Sequence, residues 1–303
     1  VLASVDVEWK QEGDILPPAS AGEPDSVRAW EPWALEGEDG GLHLWYSGHD
    51  RTTGRILEAV RKPDEPWRRL GVAIEPGLAG DSDRYGVGSP CVVRVAEGFL
   101  MAYSGFDGQI SRLHLATSAD GHRWTTRGTV VDQEEGDILA GGSPCLVVRG
   151  EEWWLYYSGS DDRDGAERPD AGRRASILGA VSRSGDSWDR IGPVLEPEPG
   201  ELAVTHPCVL EISRRLYLFF ASEQEEAGSI ALATSPDGVE WTRRGIVLAP
   251  DDDLDASSVG TPCIVRLRDG SLRMWYSRRP WGDDQLAYAV CAATFPGPLP
   301  AGA

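Results

Sequence analysis

The sequence predicts an all-β fold, a five-bladed β-propeller with four antiparallel strands in each blade. The first observation behind this prediction is a repeat. A residue followed by Pro and an apolar run recurs five times along the 303 residues, at intervals of roughly 54 to 63 residues, which is a period typical of propellers and solenoids. The prolines of the five copies are Pro32, Pro90, Pro144, Pro207 and Pro262.

The second observation is that the copies continue in the same order. An aromatic run follows the proline strand, as in Tyr156-Tyr157-Ser158, and predicts a second strand. A third strand of small and apolar residues ends in an Asp-Gly turn such as Asp120-Gly121, and a fourth strand opens on Trp, as at Trp124. Four antiparallel strands per copy make one propeller blade.

The chain ends explain how the ring closes. The fifth copy stops after its third strand, while residues 7–18 match residues 239–250, a fourth strand, almost position for position. We therefore expect one domain over residues 1–303, in which an N-terminal strand at about 5–18 completes the blade that starts near residue 259. Such closure removes sheet edges that favour aggregation.

Composition limits the partners. The formal net charge of −20 opposes binding to nucleic acid or to an anionic membrane surface, and no apolar run approaches membrane-spanning length. Four of the five cysteines follow the repeat proline, which favours tight packing of the innermost strands over a metal site. Free thiols favour a cytoplasmic location, although an upstream leader and the oligomeric state are left open. We expect no cofactor; a metal ion in the central channel stays open.

Strand order predicts which face carries the chemistry. In a blade, the loop entering strand one and the loop joining strands two and three lie at the same end, so a ligand site is expected there. The entry loops span residues 25–31, 81–89, 137–143, 201–206 and 255–261, and the joining loops contain His49-Asp50, Phe106-Asp107, Asp161-Asp162, Glu223 and Arg278-Arg279. The Asp-Gly turns at the opposite end are expected to be structural.

On these motifs the chain resembles the five-bladed propeller glycosidases, namely glycoside hydrolase families 43 and 32 and the mannoside phosphorylases of family 130. The resemblance rests on the five blades, Glu31-Pro32, the Tyr-Ser-Gly second strands and the Thr-Ser-x-Asp-Gly-x-x-Trp turns. It implies an acidic residue before the first-blade proline that acts as base or nucleophile, which is Glu31 here. The later carboxylate motifs of these families are missing, because Ser89, Ser143, His206 and Thr261 stand at those positions.

Glu31 is the first candidate catalytic residue. Its neighbours Trp30 and Trp33 offer indole surfaces for a sugar ring, and burial beside them is expected to raise the carboxyl pKa towards an acid/base range. His206 is the one pre-proline residue that titrates near neutrality. Asp83 is the third candidate, because its loop brings acid, base and phenol together with Arg84 and Tyr85.

The remaining candidates are substrate-binding residues on the same face. The full set of these candidates is Trp30, Trp33, Arg84, Tyr85, Ser89, Asp107, Asp137, Ser143 and Arg278. The polar loop at residues 158–175 is the longest insertion between second and third strands, and either a lid over the pocket or a plain surface loop fits its composition.

Three functions fit these residues. The first is a glycoside hydrolase-like enzyme that binds a sugar or another polar small molecule in the axial pocket, with Glu31 as acid/base. The second is a propeller enzyme that performs non-hydrolytic proton transfer, as a cyclase, lyase or isomerase, with Glu31 and His206. The third is a non-catalytic carbohydrate-binding propeller. A pair of facing carboxyl groups favours the first, and a lone buried acid the second.

Overall fold

A computed structural model describes residues 9–131, 139–160, 175–225, 227–250, 256–280 and 288–295. Within these ranges the chain forms twenty β-strands and no α-helix, and thus no helix that could cross a membrane. Blade 1 consists of β2 (Arg28–Glu36), β3 (Leu42–His49), β4 (Gly54–Arg61) and β5 (Arg68–Ile74). Blade 2 consists of β6 (Gly86–Val95), β7 (Gly98–Phe106), β8 (Ser111–Ser118) and β9 (Thr125–Val131).

The other three blades repeat this order. Blade 3 consists of β10 (Leu139–Arg149), β11 (Glu152–Ser160), β12 (Ser176–Ser182) and β13 (Asp189–Leu195). Blade 4 consists of β14 (Ala203–Ile212), β15 (Arg215–Glu223), β16 (Gly228–Ser235) and β17 (Thr242–Leu248). Blade 5 consists of β18 (Ala256–Arg266), β19 (Leu272–Pro280), β20 (Ala289–Phe295) and β1 (Lys10–Leu16).

The N-terminal strand closes the ring as the sequence predicts. β1 pairs antiparallel with β20, from Lys10 opposite Thr294 to Leu16 opposite Val290. Side chains reinforce the pairing, since Arg278 of β19 donates two hydrogen bonds to Asp14, at 2.7 and 2.6 Å. The first strands β2, β6, β10, β14 and β18 contact one another in cyclic order. The predicted all-β fold, with the strands in four-stranded antiparallel units, is confirmed.

The cysteines join the innermost strands of neighbouring blades. Cys91, Cys145, Cys208 and Cys263 are buried and unpaired. Each Sγ accepts the backbone N–H of the next blade's first strand, at 3.1 to 3.3 Å, from Leu146, Val209, Ile264 and Ala34 respectively. The small polarizable side chain therefore packs closely and also satisfies a buried donor.

Blade 1 has Trp33 where the other blades have cysteine, and this indole fills the centre of the ring. Trp33 packs against all five apolar clusters of the core, and its Nε1 donates to the carbonyl of Val92 at 2.8 Å. Only about 30 Å³ of space remains beside it among the five repeat prolines. The axis is therefore nearly closed, and a ligand has to bind beside it.

Candidate active site

The five residues before the repeat prolines share an unusual backbone conformation. Glu31, Ser89, Ser143, His206 and Thr261 all have φ between 49° and 54°, in the left-handed region that costs a residue with a side chain roughly 1–2 kcal/mol. The strand pairing shifts register at each of these positions. The bulge interrupts each first strand at the same height near the axis, so that these five side chains form one ring.

A serine of the preceding blade binds the backbone N–H at four of these bulges. Serine Oγ atoms accept the N–H groups of Glu31, Ser89, Ser143 and His206 at 2.8 to 2.9 Å; they belong to Ser277, Ser47, Ser104 and Ser158. Strand register places Ala221 at the equivalent position of blade 4, so no serine of blade 4 accepts the backbone N–H of Thr261. The hydroxyl group of Thr261 instead contacts Ser277 Oγ of its own blade, at 2.5 Å.

A cavity of about 330 Å³ lies at Ala221, beside the ring axis. Its walls come from blades 4, 5 and 1 and include the joining loop between β15 and β16, on the face that the sequence predicts. The lining residues that matter below are Arg28, Trp30, Glu31, His206, Glu223 and Tyr288. Three of the sequence candidates, Glu31, His206 and Trp30, therefore meet in one pocket.

Glu31 and His206 form the polar floor of this pocket. Glu31 Oε1 lies 3.2 Å from His206 Nε2, and Oε2 accepts hydrogen bonds from Ser47 Oγ at 2.5 Å and from the N–H of Ser89 at 3.0 Å. Both side chains stay partly accessible, at 15% for Glu31 and 24% for His206. The carboxylate is thus held in place while one edge still reaches the pocket.

The pKa of Glu31 moves in the direction opposite to the sequence-based expectation. Burial does raise it, but the hydrogen bond and the charge of His206, together with the bonds from Ser47 and Ser89, outweigh burial and leave the pKa below its usual value. The expectation of a raised pKa was wrong because the neighbours that hydrogen-bond Glu31 come from other strands and blades. Glu31 is therefore an ionised carboxylate at neutral pH.

Hydrogen bonds connect this pair to a second carboxyl group at the pocket. Thr205 Oγ1 lies 2.6 Å from Glu223 Oε1 and 2.9 Å from His206 Nδ1. Glu31, His206, Thr205 and Glu223 therefore form one continuous hydrogen-bonded chain.

One side of the pocket is lined by a cationic side chain and two aromatic rings, those of Arg28, Trp30 and Tyr288. The Arg28 guanidinium lies 5.5 Å from the Trp30 ring and 5.9 Å from the Tyr288 ring, which is cation–π geometry. Its Nε is buried without a hydrogen-bond partner among the described residues. An oxygen-rich ligand in the pocket could supply the missing acceptor.

The other sequence candidates lie away from the pocket. Asp83 is buried and accepts a hydrogen bond from Tyr103 of its own blade at 3.1 Å, and neither central cavity includes it. Blade 1 has the same arrangement, in which Tyr46 donates to buried Asp25 at 2.9 Å. Asp83 thus has a structural counterpart in Asp25 of blade 1, which indicates a structural role for this aspartate.

Four further candidates are engaged in local contacts. The Arg84 guanidinium lies over the Tyr85 ring at 5.0 Å, and Asp107 binds Arg112 at 2.6 Å within its own joining loop. Arg278 holds β1 through Asp14. None of these four lines the cavities at or beside the axis.

The remaining candidates lie at the axis or outside the description. Ser89, Ser143 and Trp33 line the narrow axial space. Asp137 and residues 161–174 of the lid candidate lie outside the described residues. Sequence reasoning placed Glu223 on the correct face without selecting it, and missed Arg28 and Tyr288. The signal that could have found the pocket is Ala221, the position where the serine of the repeat is missing.

Comparisons with known proteins agree with this architecture. No family model matches the chain. Uncharacterized proteins from two strains of Mycobacterium tuberculosis, CDC 1551 and H37Rv, are each 26% identical over 314 residues, covering 93% of this chain and 98% of the relative. Their similarity extends over nearly the whole ring and carries no activity with it.

Solved structures with a similar fold include glycoside hydrolases. A glycosyl hydrolase from Bacteroides ovatus superimposes with a TM-score of 0.72 at 14% identity, covering 94% of this chain and 93% of that one. A thermostable family-43 glycoside hydrolase gives 0.70 at 14% identity, with 89% and 93% covered. A structure from the family 130 mannoside phosphorylases gives 0.72 at 14% identity, with 94% and 93% covered. The chain therefore shares the all-β fold of these solved structures.

Proposed function

We propose that this protein is a glycoside-cleaving enzyme that binds a sugar in the cavity between blades 4, 5 and 1. The observation that carries the proposal is the ionised Glu31, fixed by His206, Ser47 and Ser89 on the floor of a cavity that a second carboxylate, Glu223, also lines. Glycoside hydrolysis normally needs two carboxyl groups that flank the scissile bond.

The lowered pKa of Glu31 supports the role of base. Each oxygen of a carboxylate can accept two hydrogen bonds, so Oε1 can bind a water molecule in addition to His206. Glu31 removes a proton from this water as its oxygen bonds to the anomeric carbon, and the glycosidic C–O bond breaks. Glu223, the second carboxyl group at the pocket, is the candidate proton donor to the leaving oxygen.

The aromatic and cationic side of the pocket supports a sugar as the ligand. Sugar rings present C–H faces that pack on indole and phenol surfaces, here those of Trp30 and Tyr288, and hydroxyl groups that accept hydrogen bonds from a guanidinium such as Arg28. The cavity volume of about 330 Å³ lies at the lower end of the range typical of small-molecule sites, which favours recognition of one or two sugar units.

The test is turnover of a panel of aryl glycosides by the wild type, Glu31→Gln and Glu223→Gln. Loss of general acid/base catalysis typically costs about 10²- to 10⁴-fold in kcat, and we expect a loss of that order for each variant with little change in KM. Asp120→Asn is the matched control, since Asp120 lies in a turn at the opposite end of blade 2 and binds only backbone N–H groups of that turn and Ser118. Wild-type turnover by Glu31→Gln would refute the proposal.

One observation favours a second candidate, a non-hydrolytic proton-transfer enzyme. His206 and Thr205 join the two carboxylates in one hydrogen-bonded chain, which suits transfer of a proton to and from the same ligand. This candidate predicts incorporation of solvent deuterium into a bound sugar without cleavage. Hydrolysis of any glycoside that depends on Glu31 decides for the first function.

A further inference from the structure

A second polar cluster lies at the junction of blades 1 and 2, away from the pocket. It consists of His43 on β3, Glu58 on β4 and His122 in the turn after β8. His43 Nε2 and His122 Nδ1 both lie 2.9 Å from the same oxygen, Glu58 Oε2, and the three potential ligand atoms all lie within 4.8 Å of one another. Two of the five histidines of the chain thus share one carboxylate.

The repeat shows that the carboxylate is not demanded by the fold. Glu58 pairs with Trp45 on the neighbouring strand, and the register of the other four blades identifies its equivalents. These equivalents are Leu115, Gly179, Leu232 and Ala292. Glu58 therefore places a largely buried charge, with a side chain only 9% exposed, where every other blade has a residue without a polar side chain.

The two histidines depart from the repeat as well, and they converge on Glu58. By the same register the counterparts of His43 are Leu100, Trp154, Tyr217 and Arg273, none of which is a usual zinc ligand. The turns of blades 3 and 4 carry Asp186 and Val239 after the glycine where blade 2 has His122. Glu58, His43 and His122 thus each differ from the residues at the equivalent positions of other blades, and their side chains meet at one point. This convergence indicates a ligand-binding site rather than a requirement of the fold.

Contacts outside the cluster hold His43 and the turn that carries His122 in place. The His43 ring stacks on Trp45, with 3.8 Å between ring centroids. Asp120 accepts the backbone N–H of His122 at 2.8 Å, and Trp45 Nε1 donates to the carbonyl of Gly121 at 3.1 Å, which ties the turn of blade 2 to blade 1. The His122 side chain is 47% exposed, compared with 18% for His43, so the site opens to solvent on one side.

We propose that His43, Glu58 and His122 bind a zinc ion. Two imidazole nitrogens and one carboxylate oxygen are a ligand set that zinc takes in proteins, with a fourth position left to water or a substrate atom. Bonds of about 2.0–2.1 Å place tetrahedral ligands about 3.3 Å apart. The two contacts of 2.9 Å to Glu58 need to widen by a few tenths of an ångström, and the two imidazole nitrogens, which lie within 4.8 Å of each other, need to reach the same spacing. The half-exposed His122 can provide both movements.

Strand topology separates this zinc site from the proposed active site. His122 belongs to the turn between third and fourth strands, whereas the active-site cavity is bordered by a loop between second and third strands. The two sites therefore lie at opposite ends of the blades. Zinc here links blades 1 and 2 and does not contact Glu31 or His206.

The test is a Zn²⁺ titration of the purified, chelator-treated chain against a chromogenic indicator, with thermal unfolding in parallel. We expect one zinc per chain and a melting temperature that rises with zinc, because a ligand of the folded state stabilises it. His122→Ala and Glu58→Gln should each weaken binding by more than the roughly 10- to 100-fold that the loss of an outer-sphere partner costs. His49→Ala and His206→Ala are controls outside the cluster and should bind as the wild type does.

Two results would overturn the zinc site. One is a wild-type chain that binds no stoichiometric zinc, which would leave Glu58 as a carboxylate hydrogen-bonded by two histidines. The other is zinc binding that persists in both His122→Ala and Glu58→Gln, or that disappears in His206→Ala. X-ray absorption of the zinc-loaded wild type, with two imidazole nitrogens in the first shell, confirms the assignment independently of any activity.

Discussion

Restoring the missing serine of the repeat should stabilise the ring and impair the pocket together. In four blades a serine Oγ accepts the N–H of the next pre-proline residue, whereas Ala221 leaves Thr261 without that acceptor. Ala221 and Thr261 both line the active-site cavity. Ala221→Ser should therefore supply the bond that the other blades have and place its hydroxyl where a ligand would contact Thr261.

The expected size follows from one hydrogen bond. A net intramolecular hydrogen bond is worth about 0.5–1.5 kcal/mol, which corresponds to a rise in melting temperature of about 2 °C for a domain of this size. A ligand that loses one hydrogen bond to Thr261 should bind about 5- to 10-fold more weakly. Differential scanning calorimetry and the KM of the best glycoside of the panel measure the two effects.

Ser104→Ala is the matched reverse change. It removes the acceptor of the Ser143 N–H in a blade that does not border the cavity, so it should destabilise the fold by about 1–3 kcal/mol and leave KM unchanged. Ala221→Ser with a lower melting temperature, or with a wild-type KM, would show that the gap at blade 4 is not the reason for the pocket.

Three further predictions concern pH dependence, ring closure and thiol reactivity. The folded pKa of Glu31 lies below its ordinary value, so the stability that this residue contributes is present above the unfolded pKa of about 4.3 and is lost as pH falls through the folded pKa. For the same reason, the fall of kcat/KM on the acid side of its pH profile should occur below about pH 4.3. A fall centred near pH 6 would contradict the role of Glu31 as base. Deleting residues 1–18 should expose the edge of β20 and cause aggregation that light scattering detects. Deleting residues 1–8, which keeps β1, is the control and should not cause aggregation. If the protein without residues 1–18 stays monomeric with an unchanged melting temperature, closure of the ring by β1 is ruled out. Burial raises the pKa of the Cys91 and Cys263 thiols, so a thiol reagent should label them only after denaturation, and rapid labelling of the native chain would argue against their place in the core.

The sequence by itself determined the architecture, because a propeller is built from local units. Each copy of the repeat carries its own strand pattern, Asp-Gly turn and Trp, and the match of residues 7–18 to residues 239–250 is enough to identify the closing strand. Glu31 and His206 could be selected for the same reason, since both replace the small residue of the repeat at one defined position.

What only the tertiary structure decided depends on contacts between blades. Glu31 and His206 are 175 positions apart, and their contact, which lowers the pKa of Glu31, exists only once the ring closes. The same holds for Glu58 and His122, 64 positions apart. The position of a residue within the repeat predicts how far it lies from the ring axis and at which level along that axis. It does not predict which gap between neighbouring blades stays open. The packed structure shows it: Trp33 contacts all five apolar clusters at the axis, and the gap lies beside Ala221, which stands in place of the repeat serine.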